Sequence, residues 1–213
     1  MNQIIPLFLG LSTTPLELLS FVLSLITVAC NIKQIHWGWL FAILSSGLYA
    51  LVFRDAKLYG DMGLQFVFIA VSCWGWWQWL KGDLGTHAEI SSGELAFPQL
   101  RPSRLSRVET LWSISFWSIS FLILYFFLHR FTDTDVPLAD GFLTAGSLLG
   151  QILISRKKLE NWWVWIVVDV LYVALYLYKG LHLTAFLYGI FVFMAVAGAR
   201  AWANEILKRE GSR

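Results

Sequence analysis

Apolar residues along this chain come in long unbroken runs, with neither the period-two alternation of a half-buried strand nor the single stripe of a soluble helix. Seven runs, near 16–32, 36–53, 59–80, 109–129, 137–154, 161–178 and 181–203, fall at about the 17–25 residues that carry a helix across hydrocarbon. The missing alternation argues against membrane barrel strands. The pattern therefore predicts an all-α integral membrane fold of seven transmembrane helices. The 27 residues from Lys81 to Arg107 form the one long polar stretch, expected as a cytoplasmic loop leading into the fourth span. Ile4 to Leu11 reads as an ordered or interfacial lead-in to the first.

The runs repeat. A shift of 123 residues brings Trp39 onto Trp162, Ile43 onto Ile166, Tyr49 onto Tyr172 and Leu58 onto Leu181, and continues without a gap. Leu64 then meets Leu187, Phe68 meets Phe191, Gly75 meets Gly198 and Trp79 meets Trp202. Apolar matches count for little in membrane helices, but two Trp pairs, a Tyr pair and a Gly pair in one register carry weight. Spans one to three recur as spans five to seven, with span four between them. The expected domains are a first three-helix repeat over 1–80, a loop and linker helix over 81–132 and a second repeat over 133–213. One intervening span keeps the two copies parallel, the 3+1+3 architecture of SWEET-like transporters, whose substrate sits near the midplane between the halves.

Charge orients the chain. Of its sixteen Lys and Arg, twelve fall on one side of a seven-span arrangement, including Arg101, Arg104, Arg107, Arg156, Lys157 and Lys158. Only Arg54, Lys57, Arg130 and Lys179 fall on the other. Basic loops stay cytoplasmic, so the N-terminus is expected outside and the C-terminus inside. Charged residues make up only 14% of the chain, against the roughly 25% of a soluble domain. A net charge of +2 gives no reason to expect a nucleic-acid partner. No Lys or Arg precedes Lys33, so the basic start of a signal peptide is missing. Cys30 and Cys73 lie singly in apolar runs and read as small buried hydrophobes, not as a disulfide or metal site.

Polar and aromatic residues inside the spans mark the interior. Trp162, Trp165, Asp169, Tyr172 and Tyr176 fall within about 80° of one another on a helical wheel, an aromatic stripe with a carboxylate near mid-span. Asp61, Gln65, Phe68, Ser72, Trp76 and Trp79 form a second stripe of similar width on span three. Span two adds Trp39, Ser46, Tyr49 and Phe53; span five adds Thr144, Ser147 and Gln151. Trp37, Trp39, Trp79 and Trp202 have a competing and favoured reading as residues of an interfacial belt. Asp61 has a competing role as a solvated helix-start carboxylate beside Lys57, and Asp169 as a structural partner for another helix. An ionisable group in lipid costs roughly 2.5–3.5 kcal/mol on the insertion scale and normally faces a cavity. Aromatic faces with a carboxylate and amides suit a flat, cationic, ring-bearing solute. Gly60, Gly75, Gly180 and Gly198 sit where small residues ease close helix approach or bending.

Leu58-Tyr59-Gly60-Asp61, then Leu64-Gln65 and Gly75-Trp76-Trp77-Gln78-Trp79, resemble the first-half signature of the PnuC family of vitamin transporters. Glu160-Asn161-Trp162-Trp163-Val164-Trp165, Asp169, Lys179-Gly180-Leu181, Tyr188 and Gly198-Ala199-Arg200-Ala201-Trp202 resemble its second half. The likeness spans nearly the whole chain outside the N-terminal lead-in and residues 82–108. It implies facilitated-diffusion uptake of nicotinamide riboside across a bacterial inner membrane by a homotrimer, the product being trapped by a cytoplasmic kinase that need not touch the carrier. It implies no cofactor and no metal. The substrate-binding residues expected are Gln65, Ser72, Trp76, Tyr49, Asn161, Trp162, Trp165, Asp169, Tyr172 and Tyr188. The expected mechanism is alternating access, with the two halves rocking about the site.

Other functions compete. A thiamine or other vitamin carrier would share the scaffold, and thiamine also presents a flat cationic ring. A proton- or sodium-coupled carrier needs an ionisable relay or a cation cage at mid-membrane, and one mid-span carboxylate is thin support for either. A SWEET-type sugar carrier shares the architecture, but its halves are differently marked. A membrane enzyme needs a nucleophile, base or metal motif such as HExxH or GxSxG. His36, His87, His129 and His182 are scattered over loops and helix ends and make none.

Overall fold

A computed structural model of the chain describes residues 5–6, 12–13, 15–55, 59–92, 100–132, 134–178 and 182–211. Among them are seven helices: α1 (Pro15–Ile32), α2 (Gly38–Asp55), α3 (Tyr59–Ser92), α4 (Arg107–Phe131), α5 (Pro137–Ser155), α6 (Asn161–Tyr178) and α7 (His182–Glu210). The seven runs read from hydropathy are these seven helices. By length and composition α4, α5, α6 and Ala185–Glu210 of α7 qualify as membrane spans, while Leu18–Ile32 and Gly38–Leu51 are shorter apolar helices. Ahead of α1, Ile5–Pro6 pairs antiparallel with Ser12–Thr13, so the lead-in contains a two-residue ribbon.

The polar stretch after span three departs from expectation. It does not become loop at Lys81, because α3 continues through Ser92 and reaches 34 residues. At 1.5 Å per residue that is about 51 Å, well beyond a hydrocarbon core of about 30 Å. Residues 82–92 contain no proline, so the helix runs on past the point where its apolar character ends, although Gly82 and Gly85 favour it little. The α7 helix likewise outruns its apolar run, ending at Glu210 instead of near 203.

Compact packing divides the chain into residues 1–100 and 101–213. In the first unit α1 packs on α2 and α2 on α3; in the second α4 packs on α5, α5 on α6 and α6 on α7. No residue of α4 is buried, and Val108, Leu111, Trp112, Ile123 and Phe126 stand widely exposed along it. A helix apolar on every side needs lipid or protein around it.

The two units repeat local geometry at the offset of 123 residues. Helix α2 and α6 have the same length and start 123 residues apart, and so do the starts of α3 and α7. After α1, Gln34 takes φ 56°, its N–H bonding to Asn31 O while Ile35 N bonds to Cys30 O. After α5, Lys157 takes φ 49°, with Lys157 N on Ile154 O and Lys158 N on Leu153 O. Both are Schellman caps, which close a helix through one left-handed residue. Ser24 Oγ donates to Ser20 O and Ser147 Oγ to Leu143 O, each at 2.9 Å.

The tryptophans correct the belt assignment. Trp37 is half exposed, as a belt residue would be, but Trp39, Trp79 and Trp202 are fully buried. Trp39 meets Trp79 edge-on at 5.5 Å and 88°, and Trp162 meets Trp202 at 5.4 Å and 85°. A glycine makes room for each first ring. A Cβ on Gly75 would lie 2.5 Å from the Trp39 indole, and one on Gly198 would lie 2.6 Å from the Trp162 indole. These rings are helix-to-helix packing, joining the first residues of α2 and α6 to the interiors of α3 and α7. Gly60 and Gly180 lie outside the described side chains. Cys30 is half-buried and Cys73 is exposed on its helix, so the second cysteine is not the buried hydrophobe expected.

Candidate functional site

Helix α6 carries the densest set of expected residues. Asn161, Trp162, Val168 and Asp169 are buried, and Trp165, Tyr172 and Tyr176 half-buried, whereas Trp163, Val167, Val170, Leu171 and Leu177 are exposed. The stripe read from a 100° period is thus the protein-facing side of the helix. Its first residues are held locally, with Asn161 Nδ2 donating to Lys158 O at 2.6 Å. Asn161 Oδ1 and Trp162 Nε1 are buried without a hydrogen-bond partner among the described residues. Trp165 lies against α5, where a Cβ on Gly150 would come within 2.8 Å of its ring.

Beyond Asp169 the stripe becomes a tyrosine cluster. Tyr172 stacks on Tyr176 at 5.6 Å and 13°, and Tyr188 of α7 completes a triangle at 4.7 Å from Tyr172 and 5.1 Å from Tyr176. Phe191 meets Tyr188 edge-on. Asp169, one turn before Tyr172, is 4% exposed and makes no ion pair or hydrogen bond among the described residues. A buried carboxylate without a partner is costly. A cation arriving beside it would offset that cost, and the neighbouring π faces would add to the attraction.

In the first unit the expected residues are more dispersed. Ser72 is buried, while Gln65, Trp76 and Tyr49 are half-buried. The side chain of Asp61 lies outside those described. Trp76 Nε1 donates to His36 Nδ1 at 3.4 Å, and Trp37 stands 6.0 Å from the Trp76 ring. His36 reads on sequence as one of the scattered histidines of loops and helix ends, and at 40 positions from Trp76 no local spacing reveals the contact. Gln78, given no site role on sequence, has a buried Nε2 without a partner among the described residues. Among the described residues no three of His, Cys, Asp and Glu gather to hold a metal.

The sequence matches the family described as nicotinamide mononucleotide transporter over residues 14–204. The chain belongs to this family. It is a multi-pass membrane transporter, not an enzyme. Within the family it is similar to the nicotinamide riboside transporter PnuC of Escherichia coli, 25% identical over 190 residues that cover 83% of this chain and 79% of the relative. It is equally similar to the riboflavin/roseoflavin transporter RibM of Streptomyces davaonensis, 25% identical over 187 residues covering 87% and 83%. The crystal structure of the vitamin B3 transporter PnuC shares its fold, with a TM-score of 0.68 at 24% identity over 91% of this chain and 82% of that one.

Proposed function

We propose that this transporter takes up nicotinamide riboside across a bacterial inner membrane by facilitated diffusion. The observation that carries this reading is the partnerless, buried Asp169 on the aromatic face of α6, beside the Tyr172, Tyr176 and Tyr188 cluster. The riboside has a flat ring with a fixed positive charge, a carboxamide and sugar hydroxyls. Tyrosine faces receive such a ring at roughly 0.5–2 kcal/mol each, and Asp169 balances its charge. Asn161, Trp162, Trp165, Asp169, Tyr172 and Tyr188 form the second-repeat part of the site in this reading, with Gln65, Ser72, Trp76 and Tyr49 the first-repeat part. The partnerless Asn161 Oδ1 and Trp162 Nε1 supply an acceptor and a donor for the polar groups of the riboside.

Three vitamins with related carriers separate on charge. The mononucleotide adds a phosphate, and the described part of the α6 stripe offers a carboxylate with no Lys or Arg to receive it. Riboflavin, cargo of the Streptomyces davaonensis relative, is flat but uncharged and gains nothing from Asp169. The riboside gains from both the rings and the carboxylate.

The architecture proposed with this function is a 3+1+3 parallel repeat, with boundaries 1–80, 81–132 and 133–213, N-terminus outside and C-terminus inside. The Schellman caps, Trp pairs and helix starts recurring at 123 residues support it. The assembly proposed is a homotrimer working by alternating access. A cytoplasmic kinase would trap the product without touching the carrier. The deciding experiment is calorimetric titration of the purified protein with nicotinamide riboside, the mononucleotide, riboflavin and thiamine. Heat from the riboside that vanishes in Asp169→Asn supports the assignment; binding of riboflavin alone, unchanged in that variant, refutes it.

A further inference from the structure

Two basic runs far apart in sequence meet in the second unit. Arg101, Arg104 and Arg107 lie on the segment entering α4, and Arg156, Lys157 and Lys158 on the turn between α5 and α6. Ser103 joins them: its N–H donates to Lys157 O at 3.1 Å, and Leu159 N donates to Ser103 O at 2.9 Å. Lys158 Nζ lies 3.5 Å from Arg104 O and 2.9 Å from the Glu109 carboxylate. Glu160 Oε2 accepts from Leu105 N at 3.0 Å. The seam is therefore held by backbone pairing and by the two acidic groups within it, Glu109 and Glu160. Around it Arg101, Arg104, Arg107 and Arg156 remain exposed. Of the lysines, Lys157 is buried and Lys158 is paired with Glu109, so the exposed positive charge here is carried by the arginines.

The attraction is not that of a bare helix N-terminus. Ser106 and Glu109 close the first turn of α4 in a reciprocal capping box, with Ser106 N on Glu109 Oε2 at 2.8 Å and Glu109 N on Ser106 Oγ at 3.3 Å. What the seam offers is side-chain cations. Directly beyond Arg107 begins a widely exposed apolar surface, with Val108 63%, Leu111 65% and Trp112 72% exposed. An inorganic anion would use the cations and leave this apolar face untouched. A molecule with an anionic head and acyl chains would use both, as basic pockets beside membrane helices do.

We propose that the seam between Arg101–Arg107 and Arg156–Lys158 binds the headgroup of an anionic phospholipid, whose acyl chains lie along α4 at Val108, Leu111 and Trp112. The seam adjoins the start of α6, where Asn161 Nδ2 donates to Lys158 O, but its cations do not depend on the identity of the transported vitamin. Native mass spectrometry of the purified full chain tests it, with added dioleoylphosphatidylglycerol, dioleoylphosphatidylcholine or glycerol 3-phosphate. The expected result is retention of phosphatidylglycerol at concentrations at least about tenfold lower than phosphatidylcholine, with each cation removed in Arg104→Gln and Arg107→Gln weakening it about fivefold. Arg130→Gln, at the other end of α4, is expected to change nothing. Each single variant carries the test if the double variant fails to fold. Equal retention of both lipids overturns the site, as does an unaltered lipid preference in Arg104→Gln and Arg107→Gln. Displacement of phosphatidylglycerol by glycerol 3-phosphate at comparable concentration would show a site for small anions only. Loss of bound lipid when copies associate would give the α4 face to a second chain instead.

Discussion

Trp162 and Trp202 stand edge-on with ring centroids 5.4 Å apart, and the first of these rings lies where a side chain on Gly198 would have to be. The arrangement ties α6 to α7 at the end of α6 where the proposed site begins. An edge-to-face aromatic pair contributes about 0.5–1.5 kcal/mol beyond its buried area. The close approach that permits it requires a residue without a Cβ.

Gly198→Ala is expected to destabilise the protein by about 1–3 kcal/mol, the usual cost of overpacking a well-filled interior. Gly75→Ala, whose Cβ would meet the Trp39 indole at 2.5 Å, is expected to act similarly in the first unit. Thermal unfolding in detergent checks both. Gly189→Ala serves as the control, because its Cβ would meet nothing within 4 Å.

Asp169→Asn separates stability from binding. Removing a buried, partnerless charge is expected to leave thermal stability unchanged or raised. Losing the counter-charge is expected to weaken riboside binding by at least about tenfold, roughly 1.4 kcal/mol. Paired melting curves and calorimetry decide it. A large fall in stability would instead identify Asp169 as a structural partner.

The tyrosine triangle is expected to act through its faces. Tyr188→Phe keeps the ring and should retain most of the affinity for the riboside. Tyr188→Leu removes a π face and should lose roughly 0.5–2 kcal/mol. A stronger effect from Phe than from Leu would show that the hydroxyl, not the ring, makes the contact. Equilibrium binding of the two variants measures the difference.

The capping box at the start of α4 offers a test outside the site. Ser106→Ala removes the acceptor for Glu109 N and is expected to cost about 0.5–2 kcal/mol. Substrate affinity should be unaffected. A melting curve and a riboside titration on the same sample distinguish the two readouts.

The sequence alone determined the membrane class, seven helices, the 123-residue register and the inward face of α6. These are set by hydropathy over a window and by the 100° step of a helix, so residues close in sequence settle them. Trp162, Asp169 and Tyr172 were legible for that reason. Proximity between distant residues was not. The burial of Trp39, Trp79 and Trp202 depends on glycines and rings on neighbouring helices, which is why residue type alone favours a belt for them. Trp76 finds His36 across 40 residues, and Ser103 pairs with the Lys157–Leu159 turn across more than 50. Backbone pairing of this kind carries no side-chain signature. Tertiary structure alone decided that Tyr188 closes onto Tyr172 and Tyr176, and that two separate basic runs become one surface, because both require distant chain segments to be brought within contact distance.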